Sequence, residues 1–155
     1  MFKIIFVPLQ QLQRHIMDII KEYNKTLEPL RAIAGVAMKV HAEYKPGLLE
    51  SAYEAAMEYL LKQDGHRVER QKPLPIYWKD VQLEQTYRMD LVVDDVIVEL
   101  KAVKHTNEEH ALQLFNYMRL THTQYGMLIN FGSDHLYSAW YKLYPDGVIE
   151  KVKLL

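Results

Sequence analysis

The sequence contains no cysteine, which excludes a disulfide framework, a thiolate nucleophile and a cysteine-ligated iron–sulfur cluster. Its six glycines form neither the P-loop pattern GxxxxGK(S/T) nor the dinucleotide pattern GxGxxG. None of its three serines lies in GxSxG, and its seven histidines show neither HxH nor HExxH spacing. These absences disfavour a nucleotide-binding enzyme, a serine hydrolase and a zinc enzyme.

An excess of one charge is also missing, since 19 Lys and Arg residues stand against 20 Asp and Glu residues, for a net charge of −1. This balance excludes a protein that holds nucleic acid by bulk positive charge, but it leaves open a local basic groove or a metal site. Long hydrophobic runs are lacking: the apolar run at 4–7 is cut by Pro8 and is too short for a signal-peptide core or a membrane span. We expect a soluble, cytoplasmic protein that does not enter a membrane.

The composition is that of an ordinary globular protein, with 49% apolar and 25% charged residues over 155 positions. No repeat, low-complexity stretch or linker divides the chain, so we expect one domain over residues 1–155. Met17 offers an alternative first residue, in which case residues 1–16 are dispensable.

Apolar spacing and turn residues predict mixed secondary structure. The predicted helices cover residues 10–23, 30–41, 49–63 and about 106–120, the last opening on a capping box. The predicted strands cover residues 68–71, 74–78, 82–93, 96–102, 124–131, 136–144 and 148–154. The order predicts an α/β (mixed α+β) fold, in which helices flank one sheet, with an added N-terminal helix and a C-terminal β-hairpin.

The informative stretch is a predicted antiparallel hairpin over residues 87–102 with Asp94-Asp95 at its tip. If Val93 faces Val96, Asp90 lies directly opposite Glu99. Alternation gives one face that is almost wholly apolar, formed by Tyr87, Met89, Leu91, Val93, Val96, Val98, Leu100 and Ala102. The other face carries Arg88, Asp90, Val92, Ile97, Glu99 and Lys101.

Two opposed carboxylates resist joint ionisation unless a cation lies between them. A divalent metal supplies such a cation, and carboxylate oxygens suit Mg²⁺ or Mn²⁺. Lys101 points to the same side as Glu99, where it is available to orient or deprotonate a water or to stabilise a transition state. The alternative interpretation is a salt-bridge cluster on a solvated sheet face.

Two helices add polar groups to this picture. Gln113 and Tyr117 lie four residues apart and share a helix face. The helix that follows Gly47 carries Glu50 and Tyr53 near its start, and a Glu facing the sheet from there adds a third oxygen ligand. The alternative for Glu50 is a first-turn acid favoured by the helix dipole.

These residues resemble a known family. Asp90 followed by Glu99-Leu100-Lys101 resembles the PD-(D/E)XK nuclease signature, and Gln113-Leu114-Phe115-Asn116-Tyr117 resembles the QxxxY motif of its RecB-like branch. Gly47 to Tyr53 matches the motif that names the GxxExxY protein family, which is placed in the same superfamily. The resemblance covers roughly residues 30–132, and one departure is Glu43-Tyr44-Lys45-Pro46-Gly47, where the family usually reads Glu-Leu-Gly-Pro-Gly.

The resemblance implies a restriction-endonuclease-like core with a central mixed sheet, an Mg²⁺-dependent (or Mn²⁺-dependent) phosphodiesterase centre and a nucleic-acid substrate, with DNA expected. It implies that the catalytic residues are Glu50, Asp90, Glu99 and Lys101, and that the metal ligands are Asp90, Glu99 and Glu50. It further implies substrate binding or site support by Gln113, Tyr117, Arg88 and Tyr53.

Three hypotheses remain. The first is a metal-dependent nuclease, favoured because Asp90, Glu99 and Lys101 are all present. The second is a nucleic-acid-binding or protein-interaction module of the same fold with weak or no turnover. The third is a structural dimerisation domain whose acidic cluster is incidental, and a homodimer is also compatible with the first two hypotheses.

Overall fold

The computed structural model describes residues 9–153. Its helices are α1 (Leu9–Thr26), α2 (Glu28–Tyr44), α3 (Glu50–Gln63) and α4 (Glu108–Thr121). Its strands are β1 (Val68–Trp78), β2 (Val81–Val93), β3 (Val96–Lys101), β4 (Tyr125–Asn130), β5 (Tyr137–Leu143) and β6 (Ile149–Lys151). The apolar run predicted at 4–7 and the end of the strand predicted at 148–154 lie outside the described residues. None of the helices described is long and apolar enough to cross a membrane.

The six strands lie in chain order across one sheet. Neighbouring strands are antiparallel except for β3 and β4, which are parallel. A parallel pair needs a crossover connection, and α4 supplies it. The mixed α/β fold predicted from the sequence is confirmed, including the added N-terminal helix and the C-terminal hairpin of β5 and β6, and it is consistent with a restriction-endonuclease-like core.

Helices cover both faces of the sheet. On one face, α2 and α3 pack over a buried cluster that includes Ile33, Val40, Met57, Leu91, Val98 and Leu100. On the other face, α4 packs through Leu114 and Met118. Gly126 on β4 permits the close approach of α4, because a Cβ at this position would meet the Sδ of Met118 at 2.5 Å. The sheet is therefore held between two apolar layers.

The strands differ from the prediction in two details. β1 runs unbroken from Val68 to Trp78, where the sequence predicts two strands. Met89 packs in the α4 cluster with Ile97, whereas strict alternation places it on the face of Leu91. The change of face coincides with Gln71, which stands in β1 between the pairs Arg70–Leu91 and Lys72–Met89 and has a left-handed backbone with φ +52°. This irregularity next to Asp90 breaks the alternation on which the prediction relied.

Candidate active site

The β2–β3 ladder ends at the pair Leu91–Val98, and we call the region just beyond this pair the fork. At the fork, Oδ2 of Asp90 accepts the backbone N–H of Leu100 at 2.8 Å. The carboxylate of Asp90 thus accepts a backbone N–H that a carbonyl oxygen of β2 would accept if the ladder continued. The predicted register, with Val93 facing Val96, is the observed one, but the ladder ends one pair before Asp90 and Glu99, so the two acids lie at the fork without being ladder partners.

Arg88 of β2 pairs with Pro73 of β1, and the ladder between β2 and β3 ends at Leu91, so Arg88 has no ladder partner on β3. Its Nη1 donates to the carbonyl oxygen of Gln71 at 3.3 Å, and the side chain is exposed. Arg88 is therefore placed on the strand beside the site, without an ion pair to either acid of the fork.

Glu99 is fully buried, with 0% of its surface exposed. Its Oε1 accepts a hydrogen bond from Nζ of Lys101 at 2.5 Å, whereas its Oε2 has no hydrogen-bond partner in the part of the chain that the structure describes. A buried carboxylate oxygen without a partner is costly, because most buried polar atoms in proteins are satisfied. The described part of the chain therefore satisfies one oxygen of this buried carboxylate and leaves the other without a partner.

Burial raises the pKa of both acids at the fork. The pKa of Asp90 rises to about 6, because burial outweighs the N–H of Leu100 and the charge of Lys101. The pKa of Glu99 rises to about 7, because burial and the neighbouring charge of Asp90 outweigh Lys101. Both shifts have the sign expected of acids that need a cation to stay ionised.

Lys101 is a cation at this site. Burial lowers the pKa of its amine, but the hydrogen bond to Glu99 and the charges of Glu99, Asp90 and Glu50 outweigh burial and raise it above the ordinary value. An amine with a raised pKa is a poor base near neutral pH. Of the roles that the sequence leaves open, stabilising negative charge and orienting a water suit Lys101 better than removing a proton.

Glu50 begins α3 and connects that helix to the end of β3. Its Oε2 accepts the backbone N–H of Ala102 at 3.2 Å. Tyr53 lies one turn later, fully buried, and its ring stacks on Phe131 with 4.5 Å between ring centroids. Its hydroxyl donates to the carbonyl oxygen of Lys45 at 2.6 Å and accepts the N–H of Leu48 at 3.2 Å. Tyr53 therefore holds the loop that leads into Glu50.

Gln113 and Tyr117 lie on one face of α4, as their spacing predicts. Nε2 of Gln113 donates a hydrogen bond to the hydroxyl of Tyr117 at 2.8 Å. Tyr117 is buried, and its ring contacts Tyr87 of β2 with 6.0 Å between centroids. Burial raises the pKa of Tyr117, and the negative charges of Glu99 and Asp90 add to the rise. The pair thus borders the fork, with Gln113 on the exposed side.

Glu54 and Gln71 belong to the site but are not among the predicted residues. Glu54 is only 5% exposed, and its Oε2 accepts from Nε of Arg70 at 2.9 Å and from Nε2 of Gln71 at 3.0 Å. The same Gln71 nitrogen lies 3.5 Å from Oδ1 of Asp90. One amide therefore stands between two carboxylates. Glu54 lies four residues after Glu50 on the same helix face, and this spacing is the signal that could have identified it.

The acids at the fork fit a divalent cation, since the buried Glu99 and the half-buried Asp90 both have raised pKa values, and Oε2 of Glu99 lacks a hydrogen-bond partner among residues 9–153. Within residues 9–153, however, no three or more His, Cys, Asp or Glu side chains are grouped to hold one ion. Glu50, the third predicted ligand, binds the backbone of Ala102 instead. The fork thus presents two acids for a cation, with Glu50 adding negative charge nearby.

Gln71→Gly is expected to lower any activity of this site by about 10-fold or more, because misplacing a supporting group by about 1 Å can cost 10²-fold. Glycine readily adopts the left-handed backbone at this position, so the variant removes the side-chain amide and keeps the backbone conformation of β1. Gln85→Gly, at an exposed position of β2, is the control for loss of a strand glutamine. Equal activity of Gln71→Gly and the wild type would show that the amide does not position Asp90.

The comparisons with known proteins give one match. A family model described as PD-(D/E)XK nuclease superfamily matches residues 28–142, about three quarters of the chain. The matched range runs from the start of α2 into β5 and contains every residue of the fork, whereas α1 lies outside it. No curated protein and no solved structure matches the chain.

Proposed function

Because the chain belongs to the PD-(D/E)XK nuclease superfamily, we propose that it hydrolyses phosphodiester bonds of nucleic acid at the fork with Mg²⁺ or Mn²⁺. The observation that carries the proposal is the buried Oε2 of Glu99, which has no hydrogen-bond partner among residues 9–153. Asp90 on the neighbouring strand supplies the second acid. The expected substrate is DNA, and within the superfamily we place the chain in the GxxExxY group on its residues 47–53.

Asp90 and Glu99 would hold the cation, and Glu50 would complete the set if its carboxylate leaves the N–H of Ala102. The bound cation supplies charge neutralisation of the phosphate and a water of lowered pKa. Lys101, held against Glu99 as a cation, would stabilise the charge that develops on the phosphate oxygens. Gln71 and Glu54 keep Asp90 in position.

Substrate contacts are proposed on the two elements that border the fork. Arg88 on β2 offers an exposed guanidinium for phosphate, and Gln113 on α4 offers an exposed amide. Tyr117 supports Gln113 from its buried position. Since the net charge of the chain is −1, binding would rely on these local groups rather than on the whole surface.

A second function is favoured by the position of Glu50, which leaves no group of three acids in the described residues. It is a nucleic-acid-binding or protein-interaction module of the same fold with weak or no turnover. The two functions differ in one observable, metal-dependent cleavage.

Purified protein is to be incubated with plasmid, linear and single-stranded DNA and with RNA, in Mg²⁺ or Mn²⁺ and in EDTA. We expect cleavage only with metal, and a loss of about 10²–10³-fold in Lys101→Ala, the scale seen when a transition-state donor is removed. Asp90→Ala should lose at least as much, because it removes one of the two acids that would hold the cation. Lys39→Ala and Asp64→Ala, an exposed pair 3.9 Å apart, are the matched controls and should retain activity.

Cleavage that survives both Lys101→Ala and Asp90→Ala would exclude the fork as the catalytic centre. No cleavage of any of the four substrates, combined with binding to one of them, would favour the module without turnover.

A further inference from the structure

α1 exposes an apolar stripe along most of its length. None of its 18 residues is buried. One side of the helix carries four exposed apolar side chains, spaced three, four and three residues apart: Leu9, Leu12, Ile16 and Ile19. Each of them is between 46% and 70% exposed. Tyr23 continues the same spacing by four. The alternation of three and four is the heptad spacing with which one helix packs along another.

The direction of α1 is fixed by contacts at its C-terminal end. Nη2 of Arg31 donates to Oδ1 of Asn24 at 2.9 Å across the junction with α2. The hydroxyl of Tyr23 donates to the carbonyl oxygen of Lys153 at 3.1 Å, and its ring packs against the main core. The last turn of α1 is therefore docked, and the exposed stripe lies on the turns before it.

The charges of α1 argue against an anionic partner. Arg14, Lys21 and Lys25 stand against Asp18 and Glu22, so α1 carries only one excess positive charge. A helix that binds a lipid surface or a nucleic-acid backbone carries a polar face rich in Lys and Arg. A nearly neutral helix with a heptad stripe fits the apolar face of another helix.

We propose that α1 is a self-association surface, through which the chain pairs with α1 of a second copy. A stripe that repeats every three and four residues is complementary to itself, and a twofold pair buries the same residues in both copies. Four half-exposed aliphatic side chains per copy, with the polar residues beside them, bury about 1,000 Å² in total, the lower limit for a specific interface. The pair is therefore weak and depends on concentration.

The surface lies outside the range matched by the family and carries no residue of the fork, so the proposal is independent of the proposed function. Self-association would nonetheless bring two forks into one particle.

Analytical ultracentrifugation of the full chain from about 1 to 200 µM tests the surface, because an interface of this size gives micromolar or weaker affinity. We expect the wild type to shift from monomer to dimer across this range, and the double variant Leu12→Lys/Ile16→Lys to remain monomeric. Gln10→Lys, on the opposite side of the same helix, is the matched control and should dimerise like the wild type.

Circular dichroism and thermal unfolding check that the double variant is folded, which is expected because the two side chains are exposed. A wild type that stays monomeric at the highest concentration would overturn the proposal. Dimerisation that persists in the double variant, or that is lost equally in Gln10→Lys, would also overturn it.

Discussion

Glu99→Gln is expected to abolish nucleic-acid cleavage and, at about pH 8, to stabilise the metal-free protein by about 2 kcal/mol. Glutamine keeps the shape of the side chain and can accept the hydrogen bond from Lys101, but it carries no charge into the fully buried position. The charged form of Glu99 is disfavoured there, since burial raises its pKa to about 7. Urea unfolding in EDTA measures the stability, and the cleavage assay measures the activity.

The gain in stability should disappear at about pH 5, where Glu99 itself is protonated in the folded protein. Glu84→Gln removes a charge from an exposed position of β2, and it should change neither stability nor cleavage. A metal-free Glu99→Gln protein that is less stable than the wild type at pH 8 would mean that the ion pair with Lys101 outweighs the burial of charge.

When a buried charged side chain serves to bind a ligand, its replacement by a neutral one is expected to stabilise the ligand-free protein and to abolish its function. Glu99 has one oxygen on Lys101 and one with no partner among the described residues, so the metal-free fold carries the unfavourable energy of a buried, half-satisfied carboxylate. Asp90 differs, because its Oδ2 is satisfied by the N–H of Leu100. Among the two acids, Glu99 is therefore the one whose replacement should stabilise the fold more.

The fold was predictable because its signals are local. Helix periodicity and turn residues predicted all four helices and the β2–β3 turn at Asp94-Asp95, where Val93 pairs with Val96 as expected. The capping box of α4 is also present, although the reciprocal partner of Asn107 is His110 rather than an acid. Each of these features is decided by residues within about four positions of one another.

The site was predictable only in part, because its geometry depends on contacts between distant segments. Counting back from the turn gave the register that β2 and β3 adopt, but it did not reveal that their ladder ends at Leu91–Val98, or that Gln71 on another strand has a left-handed backbone beside Asp90. The bond from Glu50 to Ala102 spans 52 positions, and the one from Gln71 to Glu54 spans 17. The periodicity of a single helix or strand does not encode contacts between distant segments. The sequence therefore identified the acids but not the residues that hold them in position.

The metal-free protein is expected to lose about 3 kcal/mol of stability between about pH 5 and pH 8 through the two acids of the fork. Their pKa values in the folded state, about 6 for Asp90 and about 7 for Glu99, lie above the ordinary values of 3.8 and 4.5. The folded state therefore binds more protons than the unfolded state in this range. Stability is highest where both acids are protonated, and it falls as the pH rises through the folded pKa values.

Mg²⁺ should oppose this loss, since a cation between the carboxylates favours their charged forms and its affinity rises as they lose protons. At pH 8, the midpoint temperature of unfolding should be higher with 10 mM Mg²⁺ than with EDTA. At pH 5, the two midpoint temperatures should be almost equal. The double variant Asp90→Asn/Glu99→Gln should show a smaller change of stability with pH and a smaller stabilisation by Mg²⁺. If the stability of the metal-free wild type instead rises from pH 5 to pH 8, or Mg²⁺ stabilises the double variant equally, then the two acids are neither the source of the pH dependence nor the metal ligands.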